Sequence, residues 1–124
     1  MSVRILIVED HPANQKLMSY LLESRGYQVL VADTGEEALE LVEREDFDLI
    51  LCDIRMTGMD GDEVARRLKA DPRHCRIPLV AITALVHPGD RDQMLMAGFD
   101  GFISKAASPH LFVQQVQSFL PGAE

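Results

Sequence analysis

The sequence predicts an α/β fold, a doubly wound parallel sheet with helices on both faces. Three observations predict it. Five short, mainly apolar runs, at 4–8, 28–32, 49–52, 77–82 and 102–104, alternate with stretches of helical periodicity. Strand–helix alternation of this kind implies parallel strands joined by crossover helices. The run Leu49-Ile50-Leu51-Cys52 has no polar position at all, as a strand covered on both faces should have none. The length of 124 residues, with no linker or low-complexity segment, fits one domain over 1–124, large enough to bury roughly two-thirds of its unfolded surface.

Each element has its own signal. Arg4 to Val8 reads as the first strand. Pro12 suits the first turn of a helix, in which Leu17, Met18, Leu21 and Leu22 recur at helical spacing before Gly26 stops it. Gln28 to Ala32 is the second strand. Thr34 with Glu37 makes a capping-box pattern for a helix that aligns Ala38, Leu41 and Val42. Leu49 to Cys52 is the third strand, and 56–61 a loop. The next helix turns Val64 and Leu68 inward and ends at Asp71-Pro72. Ile77 to Ile82 is the fourth strand. A helix from about Gly89 to Ala97 carries Met94, Leu95 and Met96 in succession and stops at Gly98. Phe102 to Ser104 is the fifth strand. Ser108 caps the last helix and Pro109 starts it; Phe112, Val116, Phe119 and Leu120 face inward, and Pro121-Gly122 ends the domain.

Composition narrows the function. A net charge of -8 argues against nucleic acid binding by this chain alone, because such affinity rests on neutralising phosphates with Lys and Arg. No apolar run approaches the roughly 20 residues of a membrane span. The N-terminus shows no basic region followed by an apolar one, so a cytoplasmic chain is expected. Cys52 and Cys75 suggest neither a zinc site nor a disulfide framework, and His11, His74, His87 and His110 are scattered without ligand spacing, most of them expected at the surface.

The chemistry lies at the strand ends. The first strand runs into Glu9 and Asp10, the third into Asp53, the fourth into Thr83, and the fifth through Ser104 into Lys105. Ligands of open α/β sheets bind outside the carboxyl ends of the strands. Three acids, a hydroxyl and an ammonium at one rim can hold a divalent cation and a phosphoryl group. Three neighbouring carboxylates repel one another, and a hard cation relieves the repulsion; Mg²⁺ suits an oxygen-lined site of this size.

These residues carry a family resemblance. Ile5-Leu6-Ile7-Val8-Glu9-Asp10, then Asp53-Ile54-Arg55-Met56 with Gly58-Met59-Asp60-Gly61, Ile82-Thr83-Ala84, and Phe102-Ile103-Ser104-Lys105 together resemble a response-regulator receiver domain of two-component signalling. Each motif is weak alone; in this order and spacing they are specific, and they span nearly the whole chain. The resemblance implies a flavodoxin-like five-stranded sheet in the order 2-1-3-4-5.

It also implies roles. Asp53 matches the phosphoacceptor, whose carboxylate attacks the phosphorus of a phosphohistidine donor. Asp10 matches the direct ligand of Mg²⁺ (or Mn²⁺), Glu9 the acid holding metal-bound water, and the Arg55 backbone carbonyl a further ligand. Lys105 and Thr83 match the groups that pair with phosphoryl oxygens, and Phe102 the aromatic switch. The implied partners are a histidine kinase or histidine phosphotransfer protein, and a downstream protein that reads the fourth helix, fifth strand and fifth helix, where Met94, Leu95 and Met96 offer apolar contacts. A phosphorylation-linked dimer is a further possible assembly. The implied activity is a switch, not an enzyme acting on other substrates.

Two positions depart from the family pattern. Ala106 follows Lys105 where a proline with a cis peptide is usual. A cis bond before alanine costs about 3 kcal/mol, so a trans Lys105–Ala106 peptide and a remodelled loop are expected. Thr57 stands where proline is common, which should loosen the loop modestly. Arg55 and Leu85 match positions that in the resembled family flank the water path to the phosphoryl group, and a bulky Leu85 is expected to slow hydrolysis.

Three other readings compete. A phosphohydrolase forming an aspartyl phosphate would need a second acid two residues after its nucleophile, and neither Asp10 nor Asp53 has one. A flavin or nucleotide module would need a Gly- or Ser/Thr-rich loop after the first strand, where Glu9 and Asp10 stand instead. A pseudo-receiver, binding partners without phosphate, draws support only from Ala106. The chain ends slightly favour a stand-alone regulator over a domain of a hybrid kinase.

Overall fold

The computed structural model describes residues 3–56, 58–84, 88–105 and 107–120, with side chains in the fourth helix from Asp92 onward. Five strands, β1 (Arg4–Val8), β2 (Gln28–Ala32), β3 (Leu49–Asp53), β4 (Leu79–Thr83) and β5 (Gly101–Ser104), alternate with helices α1 (Pro12–Glu23), α2 (Gly35–Arg44), α3 (Gly61–Ala70), α4 (Pro88–Ala97) and α5 (Pro109–Ser118). The sheet is parallel throughout, in the order β2-β1-β3-β4-β5. That is the doubly wound, flavodoxin-like arrangement expected from the sequence.

Strand alternation divides the core in two. Ile5, Ile7, Leu49, Leu51, Val80, Ile82 and Ile103 point to one face, against Met18 and Leu22 of α1 and Phe112 and Val116 of α5. Leu6, Val8, Ile50, Cys52, Leu79 and Ala81 point to the other, against Ala38, Val42, Val64, Leu68 and Met94. Every residue of β3 is buried, which explains its unbroken apolar run. Capping follows the sequence signals at Thr34 and Ser108, whose side chains accept from the amides of Glu37 and Leu111; Asp60, read only as part of a loop, caps α3 by accepting from the Glu63 amide.

Several expectations are corrected. Strand β4 begins at Leu79, not Ile77, because Pro78 has no amide to donate to the ladder, although its carbonyl still accepts from Ile50. Leu17 is 52% exposed; the inward face of α1 is carried by Met18 and Leu22. Met94 does not belong to an exposed surface. It is 4% exposed and packs into the second core half, whereas Leu95 and Met96 are 51% and 88% exposed; three consecutive helical positions span about 200° and cannot share one face. The expectations for Thr57, Leu85, the Lys105–Ala106 peptide and the Pro121-Gly122 stop lie outside the described residues.

One glycine fixes how the loop after β3 turns into α3. The Gly61 amide donates to the Ile54 carbonyl at 2.9 Å, and a Cβ at Gly61 would lie 2.4 Å from the Asp53 carbonyl oxygen and 2.8 Å from Ile54 Cα. These are backbone atoms and cannot rotate away. Gly61→Ala is therefore expected to destabilise the fold by about 1–3 kcal/mol, the usual range for overpacking, read as a lower urea midpoint. An unchanged midpoint would show that the loop moves aside at no cost.

Candidate functional site

Parallel register builds the site. Val8 pairs with Cys52, and Asp53 with Ile82. Glu9 and Asp53 each follow one of the first pair, so they stand at the same height on neighbouring strands. Ile82 pairs with Ile103 and Thr83 with Ser104, which starts Lys105 one residue beyond the β5 end. Its backbone amide donates to the Thr83 carbonyl at 2.8 Å, and its long side chain reaches back over the rim.

The sequence residues converge. Lys105 Nζ lies 2.7 Å from Asp53 Oδ2 and 3.4 Å from Glu9 Oε1. Carboxylate oxygens of Glu9, Asp10 and Asp53 all lie within 4.8 Å of one another. Asp53, Arg55, Thr83 and Lys105 line one hollow together with Ile54 and Ala84. The Arg55 amide donates to Asp53 Oδ1 at 3.2 Å, so one oxygen of Asp53 is oriented by backbone and the other by the ammonium.

Among the described residues, Glu9 and Asp53 are the two buried acids, at 0% and 4% exposure. Burial and the negative charge of Asp53 raise the Glu9 pKa above its ordinary 4.5, against the lowering effect of the His11 amide, which donates to Oε2 at 3.1 Å. Burial alone would lower the pKa of Lys105; Asp53 and Glu9 outweigh it and raise it, so the ammonium stays charged. Beside Asp53, the buried Cys52 thiol is pushed well above the usual thiol range by desolvation and then by that carboxylate, so Cys52 is a packing residue.

The donor set fits a hard divalent cation. Three carboxylates within reach of one another carry more negative charge than one ammonium offsets, and oxygen-only ligation is what Mg²⁺ or Mn²⁺ takes.

Thr83 and Phe102 share the opposite sheet face. Thr83 continues the side of Ala81, which pairs with Phe102, and Phe102 is half-buried against the core half that holds Met94. Some supporting residues were not legible. Asn14 donates to Glu9 Oε1 at 3.3 Å from the first turn of α1, and nothing in its surroundings in the sequence marks it. Nor is His74 a surface residue: its side chain is 13% exposed, packed beside Glu43 and Asp71. The Asp71–His74 spacing of three was visible; the approach of Glu43 was not.

A family model for the response regulator receiver domain matches residues 5–117. The chain is 37% identical over 123 residues to the polar-differentiation response regulator DivK of Brucella ovis, covering 99% of this chain and 100% of that one. Among solved structures, it is similar to the chemotaxis protein CheY4 of Vibrio cholerae (TM-score 0.92, 25% identity, 97% and 100% of the two chains). It is also similar to the receiver domain of sensor histidine kinase PA1611 of Pseudomonas aeruginosa, solved with a magnesium ion coordinated in the active site cleft (TM-score 0.87, 33% identity, 96% and 98% covered).

The crowding of acids has a measurable consequence. A raised pKa means the folded chain holds the Glu9 proton more tightly than the unfolded chain. Its contribution therefore favours the fold fully below the ordinary value of 4.5 and is lost as pH rises through the folded value. Glu9→Gln is expected to raise the thermal midpoint of the metal-free protein at pH 8 and to change it little at pH 4. A lower midpoint at pH 8 would mean that contacts specific to the carboxylate outweigh the repulsion.

Proposed function

This chain belongs to the response regulator receiver domain family, and from that premise we propose that residues 1–124 act as a switch that accepts a phosphoryl group on Asp53. The observation that carries this reading is the Lys105–Asp53 contact of 2.7 Å, made at a buried carboxylate with Glu9 and Asp10 within reach.

Asp53 Oδ attacks phosphorus, and the bond from phosphorus to the donor imidazole nitrogen breaks, leaving the electron pair on that nitrogen. Lys105, already at the acceptor, moves its ion pair onto a phosphoryl oxygen. The Arg55 amide holds the attacked carboxylate in one orientation, and Thr83, in the same hollow, supplies a hydroxyl donor to a second oxygen. Glu9, Asp10, Asp53 and the Arg55 carbonyl would hold Mg²⁺, which supplies charge neutralisation to the transferring group. Phosphoryl transfer depends mainly on positioning and electrostatics, and this set of residues offers both.

The product adds roughly two negative charges and three acceptor oxygens at the rim. Thr83, drawn toward them, leaves space on the face it shares with Phe102, and rotation of that ring into the space would alter the surface around α4, β5 and α5. Among the described residues, Leu95 and Met96 of α4 and Leu111 of α5 are the large apolar side chains exposed there. The donor is a histidine kinase or histidine phosphotransfer protein and the reader a downstream protein, in the cytoplasm. The charge of -8 supports a protein rather than a nucleic acid as reader, and no helix among the described residues is long and apolar enough to cross a membrane.

Intact-mass measurement after incubation with Mg²⁺ and acetyl phosphate tests the reading. One phosphoryl adduct is expected on the parent and none on Asp53→Asn. Lys105→Met should slow its formation on the order of 10²-fold, the scale of losing one preorganised charge donor. An adduct that survives in Asp53→Asn, or none on the parent even with a phosphorylated histidine protein as donor, would overturn the assignment; the second result would favour a pseudo-receiver.

A further inference from the structure

A second cluster of metal-ligating side chains lies away from this rim. Glu43 is in the last turn of α2, Asp71 caps the C-terminus of α3, and His74 follows in the turn after it. Helix α3 starts beside Asp53 and runs back across the sheet; its ten residues cover about 15 Å at 1.5 Å per residue. The cluster is therefore near the opposite end of the sheet from Lys105 and Asp53.

The geometry is that of a ligand set. His74 Nε2 lies 3.5 Å from Glu43 Oε1 and 3.8 Å from Asp71 Oδ2. Ligands of a tetrahedral ion with bonds near 2.0 Å sit roughly 3.3 Å apart, so the two His74 separations are within a few tenths of an ångström of that spacing, and all three ligand atoms lie within 4.8 Å of one another. His74 Nε2 is buried and has no hydrogen-bond partner, an unfavourable state for a polar atom. Asp71 is already oriented: its Oδ1 accepts the Arg73 amide at 2.9 Å, and Arg73 holds its carboxyl down at about 2, so it is ionised at neutral pH.

Arg73 shows the site's preference for a cation. Its Nη2 lies 2.7 Å from Glu43 Oε1 and 2.8 Å from Asp71 Oδ2, bridging the two carboxylates. The Arg73 side chain is 64% exposed, and ion pairs this exposed contribute little. The guanidinium can leave into solvent, and it makes no hydrogen bond to His74 Nε2; a metal ion would use all three groups.

We propose that Glu43, Asp71 and His74 form a second metal site, selective for a borderline transition ion such as Zn²⁺, which displaces Arg73 and ties the C-terminal ends of α2 and α3 together. The imidazole distinguishes it from the rim, whose donors are all oxygen: nitrogen ligation suits Zn²⁺, whereas Mg²⁺ takes carboxylate, carbonyl and water. Three protein ligands leave one position for water.

Calorimetric titration of the full chain with Zn²⁺, in buffer containing millimolar Mg²⁺, tests the proposal; Co²⁺, with its visible absorption, serves as a parallel probe. One Zn²⁺ per chain and a higher thermal midpoint are expected. His74→Ala, at a loop position, should weaken binding at least roughly tenfold. Arg73→Ala should tighten it roughly 2- to 5-fold by removing the competing cation, and Asp10→Asn should leave it intact. Absence of binding, binding that persists in His74→Ala, weaker binding in Arg73→Ala, or loss in Asp10→Asn would each overturn the site. None of these outcomes depends on phosphorylation of Asp53.

Discussion

Two carboxylates are buried side by side at the mouth of this sheet, and the rest of the rim is arranged to make that tolerable. Removing an ion from water costs several kcal/mol even in a relaxed protein. Glu9 and Asp53 share one ammonium, Lys105, which approaches both. The position of that ammonium depends on β5, the edge strand farthest from β1. Its start is held from a distance: Asp100 accepts from the Leu79 amide at 2.8 Å and from Lys69 at 2.9 Å, and Lys69 also donates to the carbonyls of Cys75 and Ile77. A lysine on α3 thus sets the strand that delivers another lysine to Asp53.

The parallel ladder gives the two sheet faces different tasks. Glu9, Asp53 and Lys105 continue the alternation of Ile7, Leu51 and Ile103, which point toward α1 and α5, and Glu9 and Lys105 line the hollow on that side with Met18 and Phe112. Thr83 and Phe102 alternate toward the face that carries α4. Thr83 is both in the hollow with Asp53 and on the α4 face, and Ile54 lines the same hollow while packing against the core half that holds Met94. In the proposed switch, a change in charge at Asp53 would reach the α4 side through the β4 end, where Thr83 stands in both environments.

The sequence disclosed most of this because period-two alternation and strand-end chemistry are local signals. Unbroken apolar runs gave β1 and β3, Thr34 and Ser108 gave two helix starts, and each polar residue at a strand end was found at the common rim. Signals failed where a side chain's partner is remote in sequence. Leu17 fits a helical apolar repeat as well as Met18 does, and which of them meets the sheet depends on the docking angle of α1. Pro78 was absorbed into a strand because its neighbours are apolar, although its ring removes the donor that the ladder needs. Glu43 and His74 are 31 positions apart, so only the packing of α2 against α3 unites them.

The α4 segment shows why hydrophobicity alone does not mark an interaction surface. Met94, Leu95 and Met96 are equally apolar, but successive helical residues differ by about 100° in direction. Burying Met94 in the core forces its two neighbours outward, and Met96 is left almost fully exposed at 88%. The same methionine that anchors the helix borders the core half against which Phe102 packs. In the proposed switch, a different position for the Phe102 ring would alter the core half that Met94 also packs in, and a close-packed core that does not deform continuously would pass that change to α4 as a shift of the helix. The exposed pair would then move with the helix, which makes the apolar surface a consequence of how its buried neighbour is held.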